Sequence, residues 1–380
     1  MKLWIAYLIF YTIITLVYLS YRYIILASVV KEHYKPFNAK VSVIIPYYNE
    51  DFNILRKTIK FACKAEGNKE VLVIDDGSKI NYSKKLKKLQ KKYDFKLFRY
   101  KQNQGKRYAQ VYGIKRSSGD IIVMIDSDTM IMKKGILNLI KPFSDKLVGA
   151  TTGNILVANE KQNWLTRMIS ARYWVAFNQE RKSQSALGVV TCCGGPFSAY
   201  RRKYIMPLLD KYLNQEFLGK KCTYGDDRHL TNLLLKNYKI KYVENARAYT
   251  FVPVTLRSYI KQQIRWKKSF IRESLITMKY MWKRSKWLTF DQGITFALPF
   301  LALFVRLNLY YIAFFIYPPL LIWFVFIIII MALLRSLLIM WDSGKKVIYN
   351  IGYGFLHEIC IYWLLFYSLF TLKDTSWGTR

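Results

Sequence analysis

Apolar residues are concentrated at the two ends of this 380-residue chain, while charged residues fill its middle. The first apolar run extends from Leu3 to Ser28 and contains Arg22 as its one charged residue. Because about 20 helical residues span the hydrocarbon core of a bilayer, this run predicts a transmembrane helix within residues 1–30. A cleaved signal peptide is the alternative, but the run is longer than a usual signal region and no small-residue cleavage site follows it.

Lysines flank this first apolar run unequally. Lys31, Lys35 and Lys40 follow it, whereas Lys2 alone precedes it. In membrane proteins the excess of Lys and Arg lies in the cytoplasmic loops. The sequence therefore predicts that the domain after the helix is cytoplasmic.

The middle of the chain has the alternating pattern of an α/β domain. Three short β-branched runs, Val41–Ile45, Val71–Ile74 and Ile121–Ile125, each end in a polar turn and are separated by helix-like stretches. Continuous apolar runs of this kind are typical of parallel strands that are covered on both faces. We expect an α/β domain over residues 37–256 whose ligands bind beyond the carboxyl ends of its strands.

Basic and apolar residues alternate in the next segment, residues 257–290. Positions 260, 264, 267, 271, 275 and 278 form a helical stripe that is apolar except for Lys267. This pattern is typical of amphipathic helices that lie at the membrane surface with Lys and Arg toward the headgroups. An ordinary helix packed on the sheet is the alternative.

Apolar residues dominate again over residues 291–372. The run Gly293–Met340 is long enough for two crossings and is broken near Pro318-Pro319. A further apolar segment, Gly352–Leu372, carries His357 and Glu358. We expect residues 291–372 to form transmembrane or re-entrant helices.

The net charge of +36 implies an anionic partner. Electrostatics allows anionic lipid headgroups, a phosphorylated substrate or nucleic acid. Nucleic acid is the weakest of the three, because the sequence carries no signature of a nucleic-acid recognition module. Five cysteines without a CxxC pattern favour reduced thiols over a zinc site.

Three pairs of acidic residues lie at positions suited to chemistry. Asp75-Asp76 and Asp126-Ser127-Asp128 follow predicted strands, and Asp226-Asp227 lies farther along the domain. Two carboxylates one residue apart can hold a hard divalent cation such as Mg²⁺ or Mn²⁺, which could bridge a nucleotide diphosphate. A carboxylate near an acceptor hydroxyl could act as a general base. Each pair alone is a weak signal, and a turn is the ordinary explanation of Asp75-Asp76.

The segment Gln262-Gln263-Ile264-Arg265-Trp266 supplies a planar cation and an aromatic face. The guanidinium of Arg265 suits a phosphate, and the indole of Trp266 suits the C–H face of a sugar ring. A membrane-interface anchor is an equally good explanation of Trp266 when it is taken alone.

In combination, these motifs resemble those of processive, inverting family 2 glycosyltransferases with the GT-A fold. The resemblance covers nearly the whole chain, and its nearest likenesses are the hyaluronan synthases and the rhizobial chitooligosaccharide synthases. The motifs that carry it occur in this order: Val43–Glu50, Asp75–Ser78, Gly105–Arg107, Asp126–Thr129, Gly225–Arg228 and Gln262-x-x-Arg265-Trp266.

The resemblance implies roles for individual residues. Asp227 would be the general base, and Asp128 would bind Mg²⁺ or Mn²⁺ directly. Cys193-Gly194-Gly195-Pro196 would place the acceptor sugar. The residues implied to bind the UDP-sugar or to line the acceptor are Tyr48, Glu50, Asp76, Lys106, Arg107, Asp126, Gln262, Arg265, Trp266, Trp377 and Arg380.

The choice between the two nearest likenesses depends on a few segments. Phe217-Leu218-Gly219 and the terminal Trp377-Gly378-Thr379-Arg380 are similar to hyaluronan synthases, in which the terminal element is cytoplasmic and contacts the nucleotide. Tyr173-Trp174 and the pair Cys192-Cys193 are similar to the chitooligosaccharide enzymes as well. A single amino-terminal crossing also departs from bacterial hyaluronan synthases, which usually have two. We therefore expect hyaluronan as product and keep chitin oligomers as the alternative.

The resemblance implies a membrane enzyme that alternately adds GlcNAc and glucuronic acid from UDP-GlcNAc and UDP-glucuronate to a growing polysaccharide. Membrane lipids are expected partners and nucleic acid is not. We expect a multi-pass protein of the cell membrane with its α/β domain and residues 373–380 in the cytoplasm. Three crossings after that domain would put the tail outside, so Gly352–Leu372 should be re-entrant or interfacial. Arg306 and Arg335 would suit the lining of a channel for an anionic polymer.

Two other functions remain to be distinguished from a polymer synthase. One is a transferase that moves a single sugar to a polyprenyl phosphate, against which the Gln262-x-x-Arg265-Trp266 motif argues. The other is a transporter or channel with a non-catalytic cytoplasmic domain, against which three intact acidic pairs argue.

Overall fold

The computed structural model describes residues 2–28 and 34–375. The chain divides into two compact units. The helical unit contains Met1–Val30, Glu160–Ala186 and Pro253–Leu372. The sheet unit contains Lys31–Asn159, Leu187–Val252 and Lys373–Arg380.

The helices of the two units are numbered together in chain order. They are α1 Lys2–Ala27, α2 Phe52–Lys64, α3 Ser83–Gln90, α4 Lys106–Arg116, α5 Gly135–Ile140, α6 Trp164–Val175, α7 Lys182–Ala186, α8 Arg202–Ile205, α9 Leu209–Leu213, α10 Asp226–Leu235, α11 Leu256–Met278, α12 Met281–Arg284, α13 Lys286–Phe315, α14 Leu320–Ser343, α15 Lys345–Leu356 and α16 Leu364–Phe370. Single turns of π-helix occur at Ala176–Arg181 and His357–Ile361, and short 3₁₀ segments occur at Lys141–Ser144 and Met206–Leu208.

The strands belong to the sheet unit. They are β1 Val41–Tyr47, β2 Lys69–Asp75, β3 Lys96–Arg99, β4 Ile121–Ile125, β5 Met130–Ile131, β6 Val148–Val157, β7 Phe197–Arg201, β8 Glu216–Phe217, β9 Lys220–Lys221 and β10 Lys239–Thr250. β8 and β9 form a small hairpin of their own.

An eight-stranded sheet with the order β3-β2-β1-β4-β7-β6-β10-β5 forms the centre of the sheet unit. β1 pairs in parallel with both β2 and β4, which confirms the three parallel strands that the apolar runs predict. Every residue of β1 is buried, as expected for a strand with both faces covered. β7 pairs antiparallel to β4 and to β6, so the sheet as a whole is mixed.

The parallel half of the sheet brings the carboxyl ends of β1, β2 and β4 to the same edge. Helices connect these strands, as parallel pairing requires. The side chain of Asp51 caps α2 by accepting hydrogen bonds from the backbone N–H groups of Asn53 and Ile54. β1 therefore ends at Tyr47, and a short turn precedes the helix that returns the chain to β2.

Three helices of the helical unit are long and apolar enough to cross a membrane, among the residues that the structure describes. They are Lys286–Phe315, Leu320–Leu337 and Lys346–Phe370. The first two match the two predicted crossings, and the break between them includes Pro318 and Pro319. The first apolar run also forms a helix, α1. Whether Lys346–Phe370 crosses or re-enters stays a prediction.

One segment from inside the predicted 37–256 domain belongs to the helical unit instead. Residues 160–186 contribute α6 and α7 to that unit. The ring of Trp164 on α6 contacts that of Tyr349 on α15, with 5.3 Å between the centroids. Arg167 donates to the hydroxyl of Tyr349 at 3.1 Å. Residues 160–186 therefore interrupt the α/β domain, and the apolar pattern of the sequence does not predict this interruption.

The helix α11 departs from the simple amphipathic pattern. Of the predicted apolar stripe, Ile271 is buried, whereas Leu275 is 37% exposed. Most of the buried positions of this helix are polar, namely Gln263, Lys268, Ser269, Arg272, Glu273, Ser274 and Thr277. Arg272 forms a buried ion pair with the adjacent Glu273 at 3.1 Å. An interfacial location of residues 257–290 stays a prediction.

A buried polar cluster joins α1 to α13 within the helical unit. Arg22 is 5% exposed and forms an ion pair with Asp291, which is fully buried. The guanidinium also donates to the hydroxyl oxygens of Ser183 at 2.6 Å and Tyr18 at 2.7 Å. Gln184 donates to the other carboxylate oxygen of Asp291 at 2.8 Å. These bonds satisfy two charges whose isolated burial between apolar helices would be very costly.

Replacement of Arg22 by Met should lower the free energy of unfolding by about 3–5 kcal/mol, because Asp291 would be left as an unpaired buried charge. Thermal unfolding of the detergent-solubilised protein measures the effect. Arg257→Met, at an exposed position of α11, is the matched control and should change little. The double variant Arg22→Met, Asp291→Leu should recover most of the loss, and a double variant as unstable as Arg22→Met would contradict this explanation.

Candidate active site

The predicted nucleotide residues lie at the carboxyl ends of the parallel strands. Tyr48 and Glu50 follow β1, Asp76 follows β2, and Asp126 and Asp128 follow β4. Because β1, β2 and β4 are parallel neighbours, these residues share one edge of the sheet. The acidic pairs after β2 and β4 thus lie at the carboxyl-end edge, where parallel sheets usually bind their ligands.

Glu50 and Asp76 are buried and hydrogen-bonded within the sheet unit. Glu50 accepts from the hydroxyl of Ser127 at 2.6 Å, which ties the turn after β1 to the turn after β4. Asp76 is 2% exposed and accepts from the backbone N–H groups of Gln104 and Gly105, both at 2.9 Å. Burial raises the pKa of Asp76, and these two N–H bonds oppose the rise. The carboxylate thus holds the loop that leads into α4.

Gly77 is required for the close approach of this loop. Its φ is +70°, and a Cβ built at this position would lie 2.4 Å from the carbonyl carbon of Gln102. A side chain would therefore push the loop away from Asp76. The glycine after the acidic pair serves backbone packing as well as the turn.

Lys106, the first residue of α4, joins the second and third acidic pairs. Its ammonium lies 2.7 Å from Oδ1 of Asp126 and 3.1 Å from Oδ2 of Asp226. Burial alone would lower the pKa of Lys106, but the two carboxylates outweigh burial and raise it well above its ordinary value. Lys106 is therefore a permanent cation at the centre of the site.

Asp226 and Asp227 are the first two residues of α10 and follow Gly225, whose φ is +79°. Burial alone would raise the pKa of Asp226, but Lys106 and Arg107 outweigh it and lower that pKa. Burial and the charge of Asp226 raise the pKa of Asp227, and Lys106 and Arg228 oppose this only in part. Two adjacent carboxylates thus differ in proton affinity, and Asp227 is the one suited to accept a proton.

The loop before β7 contacts the carboxylate of Asp227. Its Oδ2 accepts from the backbone N–H of Gly195 at 3.3 Å and from the thiol of Cys192 at 3.7 Å. A Cβ on Gly195 would lie 3.4 Å from Oδ2 of Asp126. The segment implied to place the acceptor sugar therefore lies against both the second and the third acidic pair.

Two residues of this site carry no motif that would identify them in the sequence. The side-chain amide of Gln110 on α4 donates to Oδ2 of Asp226 at 3.4 Å. The hydroxyl of Tyr212 on α9 donates to the amide oxygen of Gln110. Gln110 thus contacts the acidic pair directly and Tyr212 holds Gln110, from helices that only the folded chain brings together.

Arg107 is predicted to contact the substrate, which requires an accessible side chain, but its side chain is buried. Its side chain is 4% exposed and donates to the carbonyl oxygens of Tyr212 at 3.1 Å and Tyr224 at 3.2 Å, and to Oε1 of Gln215 at 2.8 Å. These bonds commit the guanidinium to protein groups. The structure thus makes Arg107 a support of the segment before Asp226 rather than a substrate ligand.

Asp126 and Asp128 suit a hard cation. Both side chains are half-buried, so they keep accessible oxygens, and Asp128 is oriented by the hydroxyl of Thr250 at 3.1 Å. Within residues 2–28 and 34–375, no group of three or more His, Cys, Asp or Glu side chains forms an all-protein metal site. Mg²⁺ and Mn²⁺ at nucleotide sites are usually held by one or two carboxylates together with phosphates and water. The donor set therefore fits such an ion.

The remaining predicted residues lie elsewhere in the chain. Gln262, Arg265 and Trp266 lie on α11 in the helical unit, where the indole of Trp266 is 45% exposed and 6.5 Å from the ring of Tyr173. Their roles toward an acceptor stay predictions. Trp377 and Arg380 lie outside the described residues. The preceding Asp374 belongs to the sheet unit, and its carbonyl accepts from the hydroxyl of Tyr224 at 2.9 Å.

Sequence comparisons identify relatives of this chain. Residues 42–209 match the family described as Glycosyl transferase family 2. The chain is 37% identical over 358 residues to the hyaluronan synthase of Streptococcus pyogenes, covering 91% of this chain and 84% of the relative. It is 34% identical over 354 residues to the N-acetylglucosaminyltransferase of Azorhizobium caulinodans, covering 91% of this chain and 88% of the relative.

A comparison with solved structures supports the fold. The chain is similar to the mannosyltransferase PcManGT from Pyrobaculum calidifontis, determined in complex with GDP-Man and Mn²⁺. The TM-score is 0.65 with 16% sequence identity, and the match covers 94% of this chain and 97% of the other. Together with the family match, this confirms the predicted GT-A fold of the α/β domain.

Replacement of Arg228 by Gln should move the acidic limb of the pH–activity profile to higher pH. Arg228 opposes the raised pKa of Asp227, so its loss raises that pKa further. A base must be deprotonated to act, and activity would therefore fall at a higher pH than in the unsubstituted protein. The measurement is kcat/KM against pH. Lys203→Gln, which removes a charge at the opposite edge of the sheet, should leave the limb in place, and an unmoved limb in Arg228→Gln would exclude Asp227 as the group that sets it.

Proposed function

The chain belongs to glycosyltransferase family 2, and from that premise we propose that it is a hyaluronan synthase, which transfers GlcNAc and glucuronic acid alternately from UDP-sugars to a growing polysaccharide. The observation that carries the proposal is the contact of Lys106 with both Asp126 and Asp226. One ammonium joins the acids suited to a diphosphate to the acids suited to proton abstraction. A donor diphosphate bound at Asp126 and Asp128 would therefore lie close to an acceptor hydroxyl bound at Asp227.

In the proposed reaction Asp227 accepts the proton of the acceptor hydroxyl. The hydroxyl oxygen then attacks the anomeric carbon of the donor sugar from the side opposite UDP. The bond from that carbon to the diphosphate oxygen breaks as the new glycosidic bond forms, so the configuration at the anomeric carbon inverts. The raised pKa of Asp227 supports this role, because a base is most effective when its pKa approaches the working pH.

The departing UDP carries negative charge that the site must stabilise. Lys106 supplies one fixed positive charge beside Asp126. A Mg²⁺ or Mn²⁺ ion held by Asp128, with Asp126 beside it, would supply further charge neutralisation for the diphosphate. The donor set fits such an ion, and the related mannosyltransferase structure contains Mn²⁺.

The other predicted residues complete the proposal. Tyr48, Glu50 and Asp76 would form the nucleotide side, of which Asp76 acts at least in part by holding the loop before Lys106. Gln262, Arg265 and Trp266 would contact the acceptor and the pyrophosphate, and Trp377 and Arg380 would contact the nucleotide. Each of these assignments comes from the motif that the residue belongs to.

We also propose that the sheet unit is cytoplasmic and that the protein spans the cell membrane several times. The lysines after α1 support the orientation. The contact of Asp374 with Tyr224 supports a tail on the same side as the sheet unit. Three crossings between residues 286 and 370 would separate the two, so one of these helices, Lys346–Phe370 by its polar residues, would be re-entrant or interfacial.

An N-acetylglucosaminyltransferase that makes chitin oligomers is the second candidate. The relative from Azorhizobium caulinodans favours it, since its identity and coverage approach those of the hyaluronan synthase. The pair Cys192-Cys193 is similar to the chitooligosaccharide enzymes as well, and the thiol of Cys192 contacts Asp227. The two candidates differ in their substrates, because this one requires UDP-GlcNAc alone.

The purified protein should make polymer only when UDP-GlcNAc and UDP-glucuronate are both present, together with Mg²⁺ or Mn²⁺. Incorporation of radiolabelled sugar into material that hyaluronidase degrades measures the product. Polymer formed from UDP-GlcNAc alone would favour the chitin candidate. Synthesis that persists after the divalent cations are removed by a chelator would contradict the metal assignment.

Replacement of Asp227 by Asn should lower kcat by about 10²–10⁴-fold, the usual contribution of a general base, and should spare UDP binding measured by calorimetry. Asp210→Asn, at an exposed position of α9, is the matched control and should retain activity. Elongation by Asp227→Asn at a near-native rate would exclude this residue as the base.

A cysteine introduced at Lys373 should react with a membrane-impermeant maleimide only after the cells are permeabilised, because a tail that binds the sheet unit must share its side of the membrane. Lys85→Cys, exposed on α3, reports the side of the sheet unit in the same assay, and the unsubstituted protein gives the background. If Lys373→Cys were labelled in intact cells and Lys85→Cys were not, the tail would lie outside the cell and the re-entrant segment would be contradicted.

A further inference from the structure

The loop before β7 is held from two sides by threonine hydroxyls. The backbone N–H of Cys193 donates to the hydroxyl of Thr231 on α10 at 2.9 Å. The next N–H, that of Gly194, donates to the hydroxyl of Thr152 on β6 at 3.1 Å. Cys193, Thr152 and Thr231 are fully buried, where an unpaired N–H group would be costly. The two hydroxyls therefore fix the path of the loop between β6 and α10.

Thr231 connects this loop to Asp227. Besides accepting from Cys193, its hydroxyl donates to the backbone carbonyl of Asp227 at 2.7 Å, one turn earlier in α10. Gly195, two residues after Cys193, donates its N–H to Oδ2 of the same aspartate at 3.3 Å. The loop is thus tied to the backbone of Asp227 through Thr231 and to the carboxylate through Gly195.

The orientation of the Asp227 carboxylate depends on this loop. Oδ2 accepts from the N–H of Gly195 and from the thiol of Cys192 at 3.7 Å. Oδ1 accepts from the N–H of Arg228 at 2.8 Å. The loop therefore holds one oxygen and the helix holds the other. A carboxylate can accept about four hydrogen bonds, so an acceptor hydroxyl can still bind to a carboxylate that is held in this way.

We propose that Thr231 is a positioning residue for proton abstraction, because its hydroxyl holds the loop that orients the carboxylate of Asp227. Thr152 supports the same loop from β6. The inference deepens the proposed function and rests on it for the role of Asp227 as the base. Since a displacement of about 1 Å can slow a positioned reaction about 100-fold, a fully buried hydroxyl can control the rate without contacting the substrate.

The donor side of the site has separate supports. Asp126 and Asp128 follow β4, and the hydroxyl of Thr250 on β10 orients Asp128 at 3.1 Å. These supports come from β4 and β10, whereas Thr231 acts from α10. Loss of the Thr231 hydroxyl should therefore slow the chemical step and leave donor binding nearly unchanged.

The kinetic test uses Thr231→Val, which removes the hydroxyl and keeps the size of the side chain. We expect kcat, measured as release of UDP, to fall about 10–100-fold, and KM for the UDP-sugars to change less than about twofold. Thr231→Ser keeps the hydroxyl and should keep most of kcat. Thr151→Val is the matched control, because Thr151 on β6 is also fully buried and donates to the carbonyl of Leu139 at 2.8 Å. It should leave both constants unchanged.

Two kinetic outcomes would overturn the positioning role. One is an unchanged kcat in Thr231→Val. The other is a fall in kcat matched by an equal loss of UDP affinity in calorimetry, which would indicate a general disruption of the site.

A second background tests whether Thr231 acts through Asp227. In Asp227→Asn the base is already lost, so adding Thr231→Val should lower the residual rate by less than about threefold. The full fall in both backgrounds would show that Thr231 acts independently of Asp227 and would overturn the proposal.

Hydrogen exchange tests the contact without relying on activity. In the detergent-solubilised protein, the backbone N–H of Cys193 should exchange faster in Thr231→Val and at an unchanged rate in Thr151→Val, as measured by mass spectrometry of the peptide that contains it. Unchanged exchange in Thr231→Val would overturn the proposal. Faster exchange combined with near-native elongation by Asp227→Asn would instead show that the proposed function is wrong, and the positioning role would fall with it.

Discussion

The architecture of the sheet unit depends on one electrostatic constraint: carboxylates brought to the same sheet edge must be neutralised. Parallel pairing of β1 with β2 and β4 puts the ends of these strands side by side, with an acidic pair after β2 and another after β4. The amino terminus of α10 adds Asp226 and Asp227. Neighbouring carboxylates repel one another strongly in a partly buried site. The ammonium of Lys106 offsets this repulsion because it contacts both Asp126 and Asp226.

The position of Lys106 explains several features around it. Asp76 accepts two backbone N–H bonds from the loop before α4, and Gly77 allows that loop to approach. Arg107 then holds the carbonyls of Tyr212 and Tyr224. Asp76 thus fixes the position of the loop before α4, and Arg107 on α4 fixes the position of the segment before Asp226. Asp76, whose motif predicts a nucleotide contact, therefore also stabilises the loop before α4.

In the helical unit, buried charged side chains are also neutralised, but by ion pairs between helices. A positive and a negative charge, Arg22 and Asp291, neutralise each other between two apolar helices, and Arg306 pairs with Glu358 at 2.6 Å. On α11, Arg272 is likewise buried as the partner of the adjacent Glu273. The buried charges of these clusters in the two units are therefore paired, and the net charge of +36 leaves an excess of positive charge that can face anionic ligands.

The sequence by itself determined the parts that depend on local pattern. Continuous β-branched runs are buried on both faces and became β1, β2 and β4; long apolar runs became α1, α13 and α14; and the order of the acidic motifs identified the family. Tertiary structure alone decided which groups meet. Gln110 contacts Asp226 and is itself held by Tyr212 from a separate helix, Arg107 is buried against backbone carbonyls, and α11 buries polar residues. The reason is physical: periodicity records whether a side chain leaves water, whereas its partner is set by packing between segments that are distant in the chain.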